Sequence, residues 1–577
     1  MAFTCHFSTI FSFAIFLLLF IYPSHAAIVS ISIGSSPESI CPYTPHPNFC
    51  TSILPRIRRG TTSTIHDYGR FCINRSLQAT NDFISLVNQQ ISYGSSHYSV
   101  STLRALEDCQ FLASRNLDFL STTMSSIRYT NSTLPASEAA LLQSVLSAMI
   151  TNFDTCSDGL QAAGSSSAVT SDLGPHISNG TMLSSVSLAL ITRGWGAYFE
   201  RSRHLSEKES IFSHRKFKMS ALPNARQNYY QKHENWPFNL RPSGSRKGRR
   251  LLQLEGLEVE VNNITTVASD GSGNYSTISD AVADAPDNTE AGNGYFVIYV
   301  MAGVYEEYVS IPKNKTYLLM VGDGINATIV TGNRSVIDGW TTFNSATFAV
   351  VADGFIAVNM TFQNTAGAIK QQAVAVRNGA DLSAFYSCSF EAYQDTLYAH
   401  SLRQFYKQCD IYGTIDFIFG NAAAVFQDCN IFPRQPLKGQ FNTITAQGRT
   451  DPNQNTGTSI QGATITAAPD LASSNFTVET YLGRPWKNYS TTVFMESYMA
   501  AVINPAGWHE WSGTFALDTL YYAEYDNSGP GSNTTDRVTW PGYHIIDENT
   551  AENFTVSNFI SGDDWLPATG LPYTDGL

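Results

Sequence analysis

The sequence predicts a two-part chain, a disulfide-tied helical bundle followed by a parallel β-solenoid. Three observations predict it. Apolar residues recur at helical spacing in the front half, over residues 103–120, 136–153 and 183–191. Behind residue 253 short β-rich runs such as residues 295–300, 317–321 and 347–351 take over, punctuated by Gly and Asn. Three cysteine-bearing segments in that back half repeat at intervals of 21 and then 20 residues.

The chain has 577 residues, of which 43% are hydrophobic and 14% charged. That supports packed cores and excludes a disordered or collagen-like chain. The net charge of −13 argues against a general nucleic-acid binder. Residues 1–252 carry 22 Lys+Arg against 14 Asp+Glu, a net +8. Residues 253–577 carry 13 against 34, a net −21. A basic front and an acidic back are units that attract each other.

The N-terminus predicts secretion. Residues 10–22 are almost entirely apolar, and Ser24-His25-Ala26-Ala27 follow with small residues at signal-peptidase spacing. Residues 1–26 therefore read as a cleaved signal, the run being short for a span of ~20 residues. An uncleaved anchor is the competing reading. After cleavage no integral membrane span is expected. Thirteen Asn-x-Ser/Thr sequons agree with an exported glycoprotein. So does the cysteine usage. Cys5 leaves with the signal, five cysteines (41, 50, 72, 109, 156) lie in front and three (388, 409, 429) behind. Each half holds an odd number, so each is expected to keep one free thiol. No C-x-x-C pair is present, and no metal site is expected.

The helical unit is expected over 27–200. Residues 201–252 then read as a polar, basic linker carrying Pro223, Pro237 and Pro242. It ends in Arg246-Lys247-Gly248-Arg249-Arg250-Leu251-Leu252. A basic cluster in an exposed linker suits a processing protease, which places the cut near Arg249, Arg250, Leu251 and Leu252. A solvated linker that is never cut is the alternative. The β-solenoid follows over 253–577.

The repeat locates a candidate site. Residues 385–390, 405–411 and 425–431 align on Cys388, Cys409 and Cys429. One coil per repeat stacks equivalent residues ~4.8 Å apart. Stacked cysteines at that spacing can pair, and Cys409–Cys429 and Cys388–Cys409 both fit. Asp395 lies seven residues after Cys388, and Asp416 seven after Cys409. The two carboxylates are thus expected at equivalent positions on successive coils. Gln372 and Gln394, 22 residues apart, are expected to stack likewise.

Two close carboxylates cannot both ionise cheaply, so one becomes an acid and the other a nucleophile or base. Glutamine amides can donate to a developing oxyanion. The set suits attack on an ester carbonyl. It equally resembles the carboxylate pair of a glycosidase or an oxygen site for calcium.

Several longer motifs carry a family resemblance. They are Asp270-Gly271-Ser272-Gly273-Asn274-Tyr275, Gly303-Val304-Tyr305-Glu306-Glu307, Val321-Gly322-Asp323-Gly324 and Gln372-Ala373-Val374-Ala375. Tyr393-Gln394-Asp395-Thr396-Leu397-Tyr398, Gly413-Thr414-Ile415-Asp416-Phe417-Ile418-Phe419-Gly420 and Tyr481-Leu482-Gly483-Arg484-Pro485-Trp486-Lys487 follow in order. Across 260–577 the chain resembles the plant pectin methylesterase family. The front half resembles the pectin methylesterase inhibitor family through Cys41 and Cys50, Ala105-Leu106-Glu107-Asp108-Cys109 and Thr155-Cys156-Ser157-Asp158-Gly159.

The resemblance implies an all-β right-handed parallel β-helix catalytic domain behind an all-α four-helix-bundle pro-domain. It implies Asp416 as nucleophile, Asp395 as proton donor and then base, Gln394 as transition-state stabiliser and Gln372 as oxyanion and substrate contact. Arg484 would orient Asp416 and bind substrate, with Trp486 and Thr342 as further substrate contacts. Phe419 and Trp508 are additional aromatic candidates. The implied disulfides are Cys41–Cys50, Cys109–Cys156 and Cys409–Cys429.

The implied activity is hydrolysis of methyl esters in cell-wall pectin, without a cofactor. The bundle would inhibit the catalytic domain or assist its folding. The implied partners are pectin, a subtilisin-like processing protease and separate inhibitor proteins, and the implied place of action is the cell wall. A solenoid lyase or hydrolase and a non-catalytic carbohydrate-binding shell are the competing classes.

Overall fold

The helical periodicity of the front half is realised as four long helices. They are α1 (Ile65–Gly94), α2 (Val100–Ile127), α3 (Ala136–Ala162) and α4 (Ser167–Trp195). The computed structural model describes residues 36–55, 63–94, 96–165, 167–196, 239–242, 250–254 and 257–577. The predicted signal and most of the predicted linker lie outside these residues. On α1 the buried residues Tyr68, Cys72, Ser76, Thr80, Phe83 and Val87 recur at three to four residues, which is one face of a helix. Ser99 caps α2, its hydroxyl accepting the Thr102 N–H at 3.1 Å. Cys41–Cys50 ties the short helices ahead of α1, and Cys109–Cys156 staples α2 to α3. Cys72 is a buried free thiol, as the front-half count implied.

The back half is a parallel β-helix. Among the described residues its strands form sheets of thirteen, eight and seven, and successive strands pass from one sheet to the next around each coil. From Leu257–Val267 onward every pairing between named strands is parallel. Corners are sharp because single non-glycine residues adopt left-handed backbone there. Ser387, Gln408 and Asp428 do so with φ of 50°, 52° and 55°, each just before a repeat cysteine. Inside, like stacks on like: Phe385, Tyr406 and Phe426 form a ladder with centroids 5.3 and 4.5 Å apart.

Two sequence expectations need correction. Cys409 and Cys429 do not form a disulfide; together with Cys388 they are buried free thiols. In-register parallel rungs keep their side chains alongside one another at strand spacing, wider than the ~3.5–4.5 Å that disulfide Cβ atoms require. Each thiol instead donates to a backbone carbonyl, Cys409 to Phe385 O at 3.4 Å and Cys429 to Tyr406 O at 3.5 Å.

The stretch assigned to a linker also contains strands. β1 (Asn239–Pro242) pairs antiparallel with β2 (Arg250–Leu254), and β2 with β3 (Leu257–Val267), so that β1 and β2 are the first two strands of the thirteen-stranded sheet. Of the expected cleavage residues, Arg250, Leu251 and Leu252 therefore lie in a strand paired on both sides. Arg249 lies outside the described residues.

The bundle docks on the solenoid. One apolar cluster joins Phe83, Leu106, Phe153 and Leu160 of the bundle to Phe343, Tyr398, Phe419 and Trp486 of the β-helix. Polar contacts frame it. Gln454 Nε2 donates to Ser147 O at 2.9 Å, Thr450 Oγ1 to Asp154 at 2.7 Å, and Arg104 Nη1 to Gly339 O at 2.6 Å. No helix among the described residues is long and apolar enough to cross a membrane.

Candidate active site

The coil repeat positions the two aspartates. Leu397 of the strand Leu397–Ala399 pairs with Ile418 of the strand Ile418–Gly420, a register of 21. Asp395 and Asp416 each precede these paired residues by two and share that register. They sit at left-handed corners with φ of 63° and 54°. Each position is strained for a residue with a side chain, and the surrounding pairing holds it. The Asp395 N–H donates to Ile415 O at 3.0 Å. Gly420 closes the second strand at φ 120°, where a Cβ would lie 2.1 Å from Ala399 O.

Asp416 is gripped from the next two coils. Arg484 Nε donates to Oδ1 at 2.8 Å and Nη2 to Oδ2 at 2.6 Å, a bidentate charge-assisted pair. Thr443 Oγ1 donates to Oδ1 at 2.6 Å and accepts the Asp416 backbone N–H at 2.9 Å. A guanidinium against both oxygens suits an ionised carboxylate and repels a calcium ion, so the calcium reading gives way.

Asp395 differs. It is 7% exposed, and no side chain among the described residues donates to its carboxyl. Burial, with the Asp416 charge adding, pushes it well above the usual carboxylate range; Arg484 opposes without cancelling. The two carboxyls thus stand in different surroundings one rung apart, ~4.8 Å along the axis, Asp416 clamped by a guanidinium and a hydroxyl and Asp395 buried.

The glutamines depart from the expected stacking. Continuing the 21-residue register places Ala373, not Gln372, level with Gln394, and the Ala373 N–H donates to Gln394 O at 3.2 Å. Gln372 is one residue out of step, and both glutamines are half-buried. Trp486 lies 6.4 Å from Tyr398 and 6.0 Å from Phe419, while Tyr398 and Phe419 stack at 4.2 Å. Thr342 is half-buried in the loop before the strand Phe348–Val350. Trp508 is not a surface platform: it is 1% exposed and stacks on Tyr522 at 4.2 Å inside the core.

The sequence reading missed several neighbours. Thr443 carries no local signal, because its role arises only when the next coil stacks on Asp416. Arg377 pairs in register with Tyr398 on the outward row of the same sheet. Its guanidinium covers Phe343 at 3.6 Å. The bundle reaches this row too. Thr155 Oγ1 lies 3.0 Å from His400 Nε2, and Lys487, next to Trp486, pairs with Asp158 at 2.8 Å. Burial drives His400 down to about 3, so it is neutral.

Comparison with known proteins follows the two halves. The pectinesterase family model matches residues 264–563, and the plant invertase/pectin methylesterase inhibitor model matches residues 35–190. The probable pectinesterase/pectinesterase inhibitor 20 of Arabidopsis thaliana is 51% identical over 558 residues, covering 96% of this chain and 96% of that one. Pectinesterase 2 of Citrus sinensis is 43% identical over 551 residues, covering 95% and 96%. The solved pectin methylesterase from carrot is 56% identical with a TM-score of 0.53. It covers 54% of this chain and 98% of its own.

Proposed function

The chain belongs to the pectinesterase family, with an inhibitor-like region ahead of the esterase, and we propose that its Asp395–Asp416 pair demethylates pectin through an acyl-enzyme. The protein is a carboxylic ester hydrolase that releases methanol from methyl-esterified galacturonate. The observation that carries the proposed mechanism is the contrast within the pair: Asp416 is clamped by Arg484 and Thr443, while burial pushes the Asp395 carboxyl well above the ordinary carboxylate range.

In this reading an Asp416 oxygen attacks the ester carbonyl carbon. The carbonyl electron pair moves onto oxygen, where the amides of Gln394 and Gln372 donate to it. The intermediate collapses, the C–OCH₃ bond breaks, and Asp395 delivers its proton to the departing methoxide, giving methanol. A mixed anhydride links Asp416 to the sugar. Asp395, now a carboxylate, takes a proton from water as that water attacks the sugar carbonyl. Collapse returns Asp416 as a carboxylate to Arg484, and Asp395 is protonated again. Trp486 offers its ring to a sugar face, and Thr342 and Arg484 are further substrate contacts.

The bundle acts as an inhibitory or chaperoning pro-region. Its contacts with Tyr398, His400, Trp486 and Lys487 support a reading in which it denies a polymer access to the row beside Asp395. The apolar N-terminus and the sequons support export to the wall. The basic run ending at Leu252 supports cleavage there by a subtilisin-like protease, after which separate inhibitor proteins could take the bundle's place.

The test is methanol release from highly methylated pectin by the chain cut between bundle and solenoid, compared with Asp416→Ala. Release by the parent and its loss in a folded variant support both the pair and the nucleophile. Equal release by both removes Asp416 from that role. No release from a folded, cut parent removes the acyl-enzyme reading altogether.

A further inference from the structure

The Arg484 guanidinium is held on two sides. Its edge forms the fork to Asp416. Its face lies over the Trp511 ring, with the guanidinium carbon 4.3 Å from the ring centroid. The Phe441 ring stands farther off, at 5.6 Å. Trp511 is 36% exposed, whereas the side chains of Arg484 and Asp416 are 18% and 7% exposed. An indole at the surface, laid against a cation, shields that cation from water on one side.

The loop carrying Trp511 is fixed to the strand that leads into Arg484. Trp508 bridges Gly483, the last residue of the strand Thr480–Gly483, and the His509 N–H donates to Gly483 O at 3.0 Å. The His509 ring stacks on Phe441 at 4.3 Å and meets Tyr481 edge-on at 4.8 Å. The Trp511 ring and the Arg484 guanidinium therefore hang from one backbone junction, which sets their spacing.

We propose that Trp511 is a positioning residue for the nucleophile, acting through Arg484. The inference rests on the acyl-enzyme reading of the catalytic pair. Two parallel N–H···O bonds require guanidinium and carboxylate to share a plane. Arg484 reaches Asp416 on a long side chain with several rotatable bonds, so its plane has to be fixed from outside. The Trp511 ring does this, because cation–π attraction resists swinging of the guanidinium away from the ring and out of the fork. The need is greatest in the mixed anhydride. Asp416 has then lost its charge, and no ion pair holds Arg484. The ring keeps the guanidinium beside Asp416 until water has attacked and the carboxylate returns.

The experiment folds the full chain, cuts it between bundle and solenoid and removes the bundle. Methanol release from highly methylated pectin then gives kcat and KM for the parent, Trp511→Leu, Trp511→Phe, Arg484→Lys and the double variant Trp511→Leu/Arg484→Lys. Trp511→Leu keeps apolar bulk and loses the ring face. It is expected to lower kcat about ten-fold with KM changed less than about two-fold, and Trp511→Phe to recover most of the loss. On the Arg484→Lys background, Trp511→Leu is expected to change kcat by less than about two-fold, because the plane it positions is already gone. Multiplicative losses in the double variant overturn the proposal, since Trp511 would then act without Arg484. A raised KM at unchanged kcat also overturns it and makes Trp511 a sugar platform. A lowered melting temperature at unchanged kcat overturns it as well and leaves the ring a structural part. Should Trp511→Leu fail to fold, Trp511→Gln takes its place in the same cycle. Absence of methanol release by the folded, cut parent would instead overturn the acyl-enzyme reading beneath.

Discussion

Arg484 clamps Asp416 through two parallel hydrogen bonds, Nε to Oδ1 at 2.8 Å and Nη2 to Oδ2 at 2.6 Å. The clamp fixes both the charge and the direction of the proposed nucleophile. Lysine keeps the charge but supplies a point donor in place of the fork. Arg484→Lys is expected to lower kcat by about ten- to a hundred-fold with the melting temperature little changed. Methanol release and a thermal melt check this, and an unchanged kcat would make the clamp structural only.

Thr443 completes the clamp from the neighbouring coil. Thr443→Val removes the donor to Asp416 Oδ1 and the acceptor of the Asp416 N–H. Freed on that side, Asp416 keeps only the Arg484 fork to aim it. Thr443→Val is therefore expected to lower kcat by about ten-fold with KM little changed. An unchanged kcat would exclude a role for Thr443 in orienting Asp416.

Docking of the bundle is expected to weaken as pH rises. Burial holds Asp108 up at about 7 and Asp154 up at about 6. Around Asp108, Thr341, Arg377 and Asn344 oppose the shift, and Glu107 adds to it. Around Asp154, Thr450 and Lys487 oppose it, and Asp158 and Asp451 add to it. Undocked, both carboxyls meet water and return toward the ordinary 3.8. The docked state thus holds more protons. Its advantage is complete below about pH 3.8 and is lost as pH climbs through about 6 and then 7. Affinity between the cut halves should fall more than about ten-fold from pH 5 to pH 8, and Asp108→Asn should flatten the dependence. Calorimetry at the two pH values measures it; constant or rising affinity would assign the contact to other groups.

The proposed cleavage near Arg249, Arg250, Leu251 and Leu252 would require β2 to leave its neighbours. β1 covers one edge, with Leu240 opposite Leu252, and β3 the other. Proteases bind extended, unpaired backbone. Leu240→Pro removes a backbone donor and disfavours β1 pairing. It is expected to speed cutting by several-fold in a gel time course with a dibasic-specific protease. An unaltered rate would mean that strand pairing does not gate processing.

Much of this molecule was legible because its information is local or periodic. Helical spacing marked α2 and α3, and the 21-residue interval put Asp395 and Asp416 on neighbouring rungs, since a solenoid turns sequence period into spatial stacking. The cysteines show the limit of that logic. The same period brings Cys409 and Cys429 together, but parallel rungs hold their side chains abreast rather than converging. Gln372 shows it again: its 22-residue gap to Gln394 is one longer than the repeat, and the pairing of Val376 with Leu397 leaves it a residue out of step.

By itself, then, the sequence determined the two-part architecture, the esterase family and the placing of Asp395 and Asp416 on neighbouring coils, all of which follow from short motifs and a repeat. Only the tertiary structure decided what those motifs meet. Thr443 reaches Asp416 from 27 residues on, Arg484 from 68, and Asp108 reaches Thr341 across 233. No local motif encodes such contacts: the first two arise when coils of unequal length stack on one another, and the third when the bundle settles on one wall of the β-helix. That settling also made Asp108 a buried acid and left Arg377 with an unfilled donor among the described residues.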